Sequence, residues 1–190
     1  MIKQFLKLLL LLTSLHVFSQ TPCDYSTNVV DSIGKYKSTK EYIVHERVFG
    51  GNSSYLFFSL VSTDDTPSLN IQYIQKSKDF IKAICFDKTS KLFIQLINGK
   101  IITLVHLDQE NCGTSVRDEK GFNNRISSGV FLFTKGSLED LKTSTISFIR
   151  IKSITETQDF IFKKEFVSEM DGKTYRPESY FLDTLHCISD

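Results

Sequence analysis

The stretch KLFIQLINGKIITLVHL, residues 91–107, decides the fold class. Two apolar runs flank Asn98-Gly99, and that dipeptide supplies the positive φ angles of a two-residue type I′ hairpin turn. With such a turn Leu96 faces Ile101, Ile94 faces Thr103 and Leu92 faces Val105. The face expected to be core then carries Leu92, Ile94, Leu96, Ile101 and Val105. The other face carries Lys91, Phe93, Gln95, Ile97, Lys100, Ile102, Leu104 and His106, a mixture that predicts partial cover.

Strand character extends in both directions from this hairpin. Upstream, EYIVHERVF, SSYLFFSLVST and SLNIQYIQK are rich in β-branched and aromatic residues and are separated by Gly50-Gly51-Asn52 and by Asp64-Asp65-Thr66-Pro67, which predicts a meander. Downstream, GVFLFT leads into KGSLEDLKTS, where Ser137 can cap a short helix near 137–142. STISFIRIKSI and QDFIFKKEF follow as strands. The last segment, RPESYFLDTLHCISD, predicts a helix near 177–187: Pro177 suits the first turn, Phe181, Leu185 and Ile188 form an apolar stripe, and Leu182 widens it. The expected fold class is α+β, a mainly antiparallel sheet of meander and hairpins with both helices packed on it. The segment Asp108 to Arg125 is the longest stretch expected to be irregular.

Composition narrows the function classes. The 190 residues are 41% hydrophobic and 24% charged, values that fit a globular domain and argue against disorder. Lys plus Arg total 23 against 22 for Asp plus Glu, so no long-range field steers the chain to nucleic acid. The run Gly34 to Lys40, which mixes lysines with Tyr36, is accordingly read as a solvated entry to the first strand.

Residues 1–19 have the form of a secretory signal peptide: Lys3 and Lys7, an apolar run from Leu8 to Val17, and small Ser19 before Gln20. That run is too short to span a bilayer, which takes about 20 residues. A single globular domain over 20–190 is expected, with no membrane span once the leader is removed. All four cysteines fall in this part, an even number in a chain addressed to an oxidising compartment. Of the three possible pairings we favour the nested one, Cys85 with Cys112 and Cys23 with Cys187, which ties the N-terminus to the last helix. The alternative is that Cys85 and Cys187 are buried free thiols. Zinc is disfavoured because Cys85 and Cys112 contain no short chelating pair.

The leader ending VFSQ, the unit FLFTKGSLEDLKTSTISFIRIK and the closing YFLDTLHC are similar to small exported proteins of the Bacteroidota that have no assigned function. The resemblance covers the leader and the last third of the chain. It implies an α+β protein of the periplasm or the extracellular space and supplies no catalytic residues.

Residues able to carry chemistry are scattered. No serine lies on a Gly-x-Ser-x-Gly turn, and His45-Glu46-Arg47 has no second histidine at the zinc-protease spacing. His106 and Asp108 share a strand face, but Lys91 is expected opposite His106 and opposes a cation there. His45 and Arg47 likewise share a face, and His186 sits on the terminal helix; neither has a nameable third partner. The acidic pairs Asp64-Asp65, Asp118-Glu119 and Glu139-Asp140 are adjacent in sequence and diverge in space. The sequence therefore names no catalytic, cofactor-binding or metal residue and no cofactor. It favours a non-catalytic exported binding or structural module. The rivals are a hydrolase using the 108–125 loop, which needs a deep pocket of convergent groups, and an inhibitor or subunit of another exported protein, which needs an exposed apolar patch.

Overall fold

The computed structural model describes residues 22–189, so the leader expected over residues 1–19 lies outside the described residues. The strands, in chain order, are β1 Tyr25–Val30, β2 Lys35–Thr39, β3 Tyr42–Phe49, β4 Asn52–Thr63, β5 Thr66–Ser77, β6 Lys91–Leu96, β7 Ile101–His106, β8 Thr114–Arg117, β9 Asn123–Phe133, β10 Ile146–Lys152, β11 Thr157–Ile161, β12 Phe166–Val167 and β13 Thr174–Tyr175. The helices are α1, Ser137–Leu141, and α2, Tyr180–Thr184, the latter flanked by 3-10 turns at Pro177–Ser179 and Leu185–Cys187. The fold is α+β, with an antiparallel sheet dominant.

The main sheet runs β1-β2-β4-β5-β9-β7-β6-β10-β11. Two strands serve two partners along one edge: β4 pairs with β3 over Asn52–Phe58 and with β2 over Val61–Thr63, and β9 pairs with β8 and then β7. The β4–β5 turn is tight, with Asp64 and Asp65 at φ 47° and 62°, the left-handed pair a type I′ turn demands. Alternation along the strands puts Leu56, Phe58 and Leu60 of β4, Leu69 and Ile71 of β5, and Leu92, Ile94 and Leu96 of β6 into one core.

The C-terminal helix closes that core. Tyr180 and Phe181 bring their rings to 5.5 and 6.2 Å from Phe58, and Leu185 and Ile188 are buried beside them. Each such side chain removed from water contributes about 1.5–3 kcal/mol, which holds a helix too short to be stable alone. Phe160 of β11 meets Tyr73 of β5 at 5.4 Å and His45 of β3 at 5.1 Å, so the two halves of the sheet curl toward each other across the core.

Several expectations need correction. The hairpin register is shifted by one residue: Leu92 faces Leu104, Ile94 faces Ile102 and Gln95 faces Ile101. The turn is Ile97-Asn98-Gly99, closed by Leu96 N–H to Lys100 O at 2.9 Å, with Gly99 alone at positive φ, 86°. The core face of β7 is therefore Ile102, Leu104 and His106, while Ile101 and Val105 are 62% and 36% exposed on the other side. The 108–125 segment is not irregular throughout: β8 pairs with the start of β9, Thr114 opposite Ile126 and Arg117 opposite Asn123. Ser137 is not a side-chain cap; Gly136 holds the cap position, and the buried Ser137 hydroxyl donates to Thr134 O at 2.6 Å. Leu182 points outward, 38% exposed, and Tyr180 takes its place in the core. QDFIFKKEF splits into β11 and β12, and the 34–40 run is β2 itself, with Ser38 and Thr39 buried.

Candidate functional site

The cysteines pair as Cys23–Cys187 and Cys85–Cys112, with Cα separations of 5.6 and 3.9 Å. Two disulfides in one chain point to an oxidising environment. No helix among the described residues is long and apolar enough to cross a membrane.

The structure separates His106 from Asp108. His106 is 7% exposed and turned into the core because it continues the Ile102–Leu104 face, and the strand with its alternation ends there, before the exposed Asp108. Val105, not His106, faces Lys91. Phe86 stacks on the imidazole at 5.5 Å and Phe131 meets it edge-on at 5.1 Å. Burial holds its pKa below the ordinary histidine value, with the main chain of Leu107 and the Asp87 charge opposing. The cleft beside the following loop holds about 220 Å³ and is lined by His106, Asn70, Gln109, Asn111 and Ser128 among others. His106 is the single titratable side chain in that lining, so an acid–base pair does not converge there.

His45, Asp64, Asp118 and Asp140 have structural partners. His45 packs on Phe160, and burial, with Lys163 and Arg47 nearby, lowers its pKa. Asp64 accepts from Lys35 N–H at 2.8 Å, and Asp140 pairs with Lys100 at 2.6 Å. Asp118 binds Lys76 at 2.9 Å and accepts from Phe122 N–H at 2.9 Å, which holds its carboxyl well below the usual carboxylate range. These are turn-forming and surface pairs.

What the strands do build is a platform on the outer face of β7-β6-β10-β11. Residues directly opposite in an antiparallel sheet share a face, so the pairings define rows across four strands. One row is Ile101-Gln95-Phe148-Ile161, the next Thr103-Phe93-Arg150-Asp159, and the third Val105-Lys91-Lys152-Thr157. Ile101 and Ile161 are 62% and 75% exposed, and Phe93 and Phe148 half-buried, so apolar side chains alternate with polar ones on a surface facing water. Arg150 crosses the middle row: its guanidinium makes two 2.7 Å bonds to the Asp159 carboxylate and lies 5.6 Å from the Phe148 ring. That contact lowers the Asp159 pKa and raises that of Arg150. A groove of about 480 Å³ is lined by Phe93, Gln95, Ile101 and Phe148 together with the Arg150–Asp159 pair.

The platform was missed in sequence because its composition depends on register. With the two-residue turn, Ile101 and Val105 would be core; the three-residue turn moves both onto the outer face. Compared with protein-family models, with curated proteins and with solved structures, the chain matches none.

Proposed function

We propose that the protein is an exported, non-catalytic binding module that takes up an extended strand of another exported protein along β11. The observation that carries this reading is that the apolar row Ile101-Gln95-Phe148-Ile161 runs to β11, which has β10 on one side and no strand on the other among the described residues. An unpaired edge presents main-chain donors and acceptors to an incoming strand, and the adjoining row supplies side-chain selectivity. The fitting segment places an apolar side chain beside Ile161 and a carboxylate beside Thr157, on the side of Lys152 in the same row. The leader-like N-terminus and the two disulfides support export, to the periplasm or the extracellular space. The single titratable group in the His106 cleft supports binding over hydrolysis.

The test is site-specific photocrosslinking in the producing cell, with the crosslinker at Ile161 or, as control, at the exposed Val29 of β1. The expected result is a defined adduct from position 161 alone. The crosslinked polypeptide, purified separately, should protect β11 amides from hydrogen exchange, and Phe148→Asp should weaken its binding at least tenfold. Equal adducts from both positions, adducts with a second copy of the chain, or no change in β11 protection would overturn the reading.

A further inference from the structure

The two ends of the described chain meet at a chemically distinctive point. Cys23 lies just before β1, and His186 and Cys187 lie in the closing 3-10 turn. His186 Nε2 stands 3.3 Å from Cys23 Sγ and 3.6 Å from Cys187 Sγ. Among the described residues these three form the one group of His, Cys, Asp or Glu side chains, three or more strong, whose donor atoms lie within 4.8 Å of one another. Cys187 is buried, while Cys23 and His186 are partly open to solvent, so the cluster is shielded on one side and reachable on the other.

A tetrahedral zinc site has Zn–S of about 2.3 Å and Zn–N of about 2.0–2.1 Å, which places sulfur and nitrogen ligands about 3.6 Å apart and two sulfurs about 3.8 Å apart. Both sulfur–nitrogen edges already have about that length. Only the sulfur–sulfur edge, set by the covalent bond, has to open. With the Cα atoms 5.6 Å apart, side-chain rotation supplies that opening without moving the backbone. Two thiolates and one neutral imidazole would balance a divalent cation and leave one coordination position for water, a borderline-soft donor set suited to zinc.

We propose that Cys23, His186 and Cys187 are a Cys2His zinc site in the dithiol state, so that the same side chains join the chain ends either by a covalent bond or through a metal. The chemistry balances with an external dithiol as reductant. Two electrons and two protons pass to the Cys23–Cys187 disulfide, the reductant becomes a disulfide, and zinc binding then releases the two thiol protons to solvent. Disulfide and metal are mutually exclusive. Cys85 and Cys112 belong to no such cluster among the described residues, and they provide an internal control.

The experiment reduces the full exported chain under anaerobic conditions and titrates it with Co2+, a spectroscopic stand-in, followed by Zn2+. One equivalent of Co2+ should give a thiolate-to-metal band in the near ultraviolet and the visible bands of a tetrahedral ion, and Zn2+ should displace it. The oxidised protein should give neither signal. His186→Ala, which keeps all four thiols, should weaken binding at least tenfold, and Cys187→Ser should remove the tetrahedral spectrum. No stoichiometric binding, or binding unchanged in both variants, would overturn the proposal by placing any metal at Cys85 and Cys112 or nowhere. If reduction unfolds the chain, one equivalent of Zn2+ should restore its circular dichroism, since binding then adds to folding free energy. A chain that stays unfolded with zinc would equally overturn it.

Discussion

The imidazole of His106 lies over the ring of Phe86, with centroids 5.5 Å apart and planes inclined by 24°. Its Nδ1 is buried without a hydrogen bond of good geometry. Such a group is tolerated neutral and opposed as a cation, which is the origin of its lowered pKa. The folded state therefore binds this proton less readily than the unfolded chain. Stability should be full above the unfolded histidine value of about 6.5 and fall as pH drops from there toward the lowered folded value. His45, also shifted down, acts in the same direction. His106→Phe removes the polar atoms from an aromatic site. The variant should match the wild type within about 1 kcal/mol at pH 7.5 and lose less stability on going to pH 5. Urea denaturation at the two pH values checks this; equal losses in both proteins would show that His106 does not titrate on unfolding in this range.

The space for that imidazole is kept by Gly129. A Cβ there would sit 3.0 Å from Phe131 Cε2 and 3.1 Å from His106 Cδ2 and Nε2, all atoms of packed rings. Gly129→Ala should therefore cost about 1–3 kcal/mol by overpacking, without any change in backbone conformation. The cost should be smaller when His106→Ala is present, because the two changes share a contact. A double-mutant cycle in urea measures that coupling, and additive effects would contradict the packing account.

The sequence made the strands legible and left their pairing open. β3, β4, β5, β10 and the terminal helix are readable because their apolar periodicity and turn residues agree. β1 is not: Tyr25–Val30 is nearly all exposed, so no buried face imposes a pattern. The register of β6 and β7 was misread because Asn98-Gly99 is compatible with two loop lengths, and β7 has apolar residues at both parities, with Ile101 beside Ile102 and Leu104 beside Val105. Its partners decide between them. β9 enters beside β7 and pairs Val105 with Leu132 and His106 with Phe131, a contact between distant residues that hairpin chemistry cannot anticipate. Within the Cys23–His186–Cys187 cluster the cysteine pairing was legible, whereas the approach of His186 to Cys23 was not, since 163 residues separate the two in the chain.

The three-residue turn can be tested directly. Gly99 has φ 86° and open space around its Cα, so a side chain there meets a conformational penalty and no clash. Gly99→Ala should lower stability by about 1 kcal/mol, whereas Ile97→Ala, at a position 68% exposed, should change it by less than about 0.5 kcal/mol. With a two-residue turn Ile97 would be a strand residue facing Lys100. Amide exchange distinguishes the two: Leu96 N–H, bonded to Lys100 O, should be protected. Rapid exchange at Leu96 would point to the other register.

The Cys23–Cys187 bond anchors the start of β1, a strand at the sheet edge that pairs with β2 alone among the described residues. β1 buries almost none of its side chains, and the Tyr25 hydroxyl, donating to Cys187 O at 2.9 Å, adds a hydrogen bond to the C-terminus beside the disulfide. The bond closes a sequence separation of 164 residues, against 27 for Cys85–Cys112, so in the chain-entropy account it restricts the unfolded chain more, by about 5 against about 3.5 kcal/mol before native-state costs. The double variant Cys23→Ala, Cys187→Ala should therefore lose roughly 2–5 kcal/mol in urea. The loss should be local in its first effect: amides of β1 should approach unprotected exchange while those of β4 and β5, deep in the sheet, keep their protection relative to global stability. Oxidised wild-type protein should show no reactive thiols under denaturing conditions, in keeping with its two disulfides. Protection of β1 that survives the double variant would mean that pairing with β2 alone orders it, and would remove the basis for treating either a disulfide or a metal at this point as the staple of the two ends.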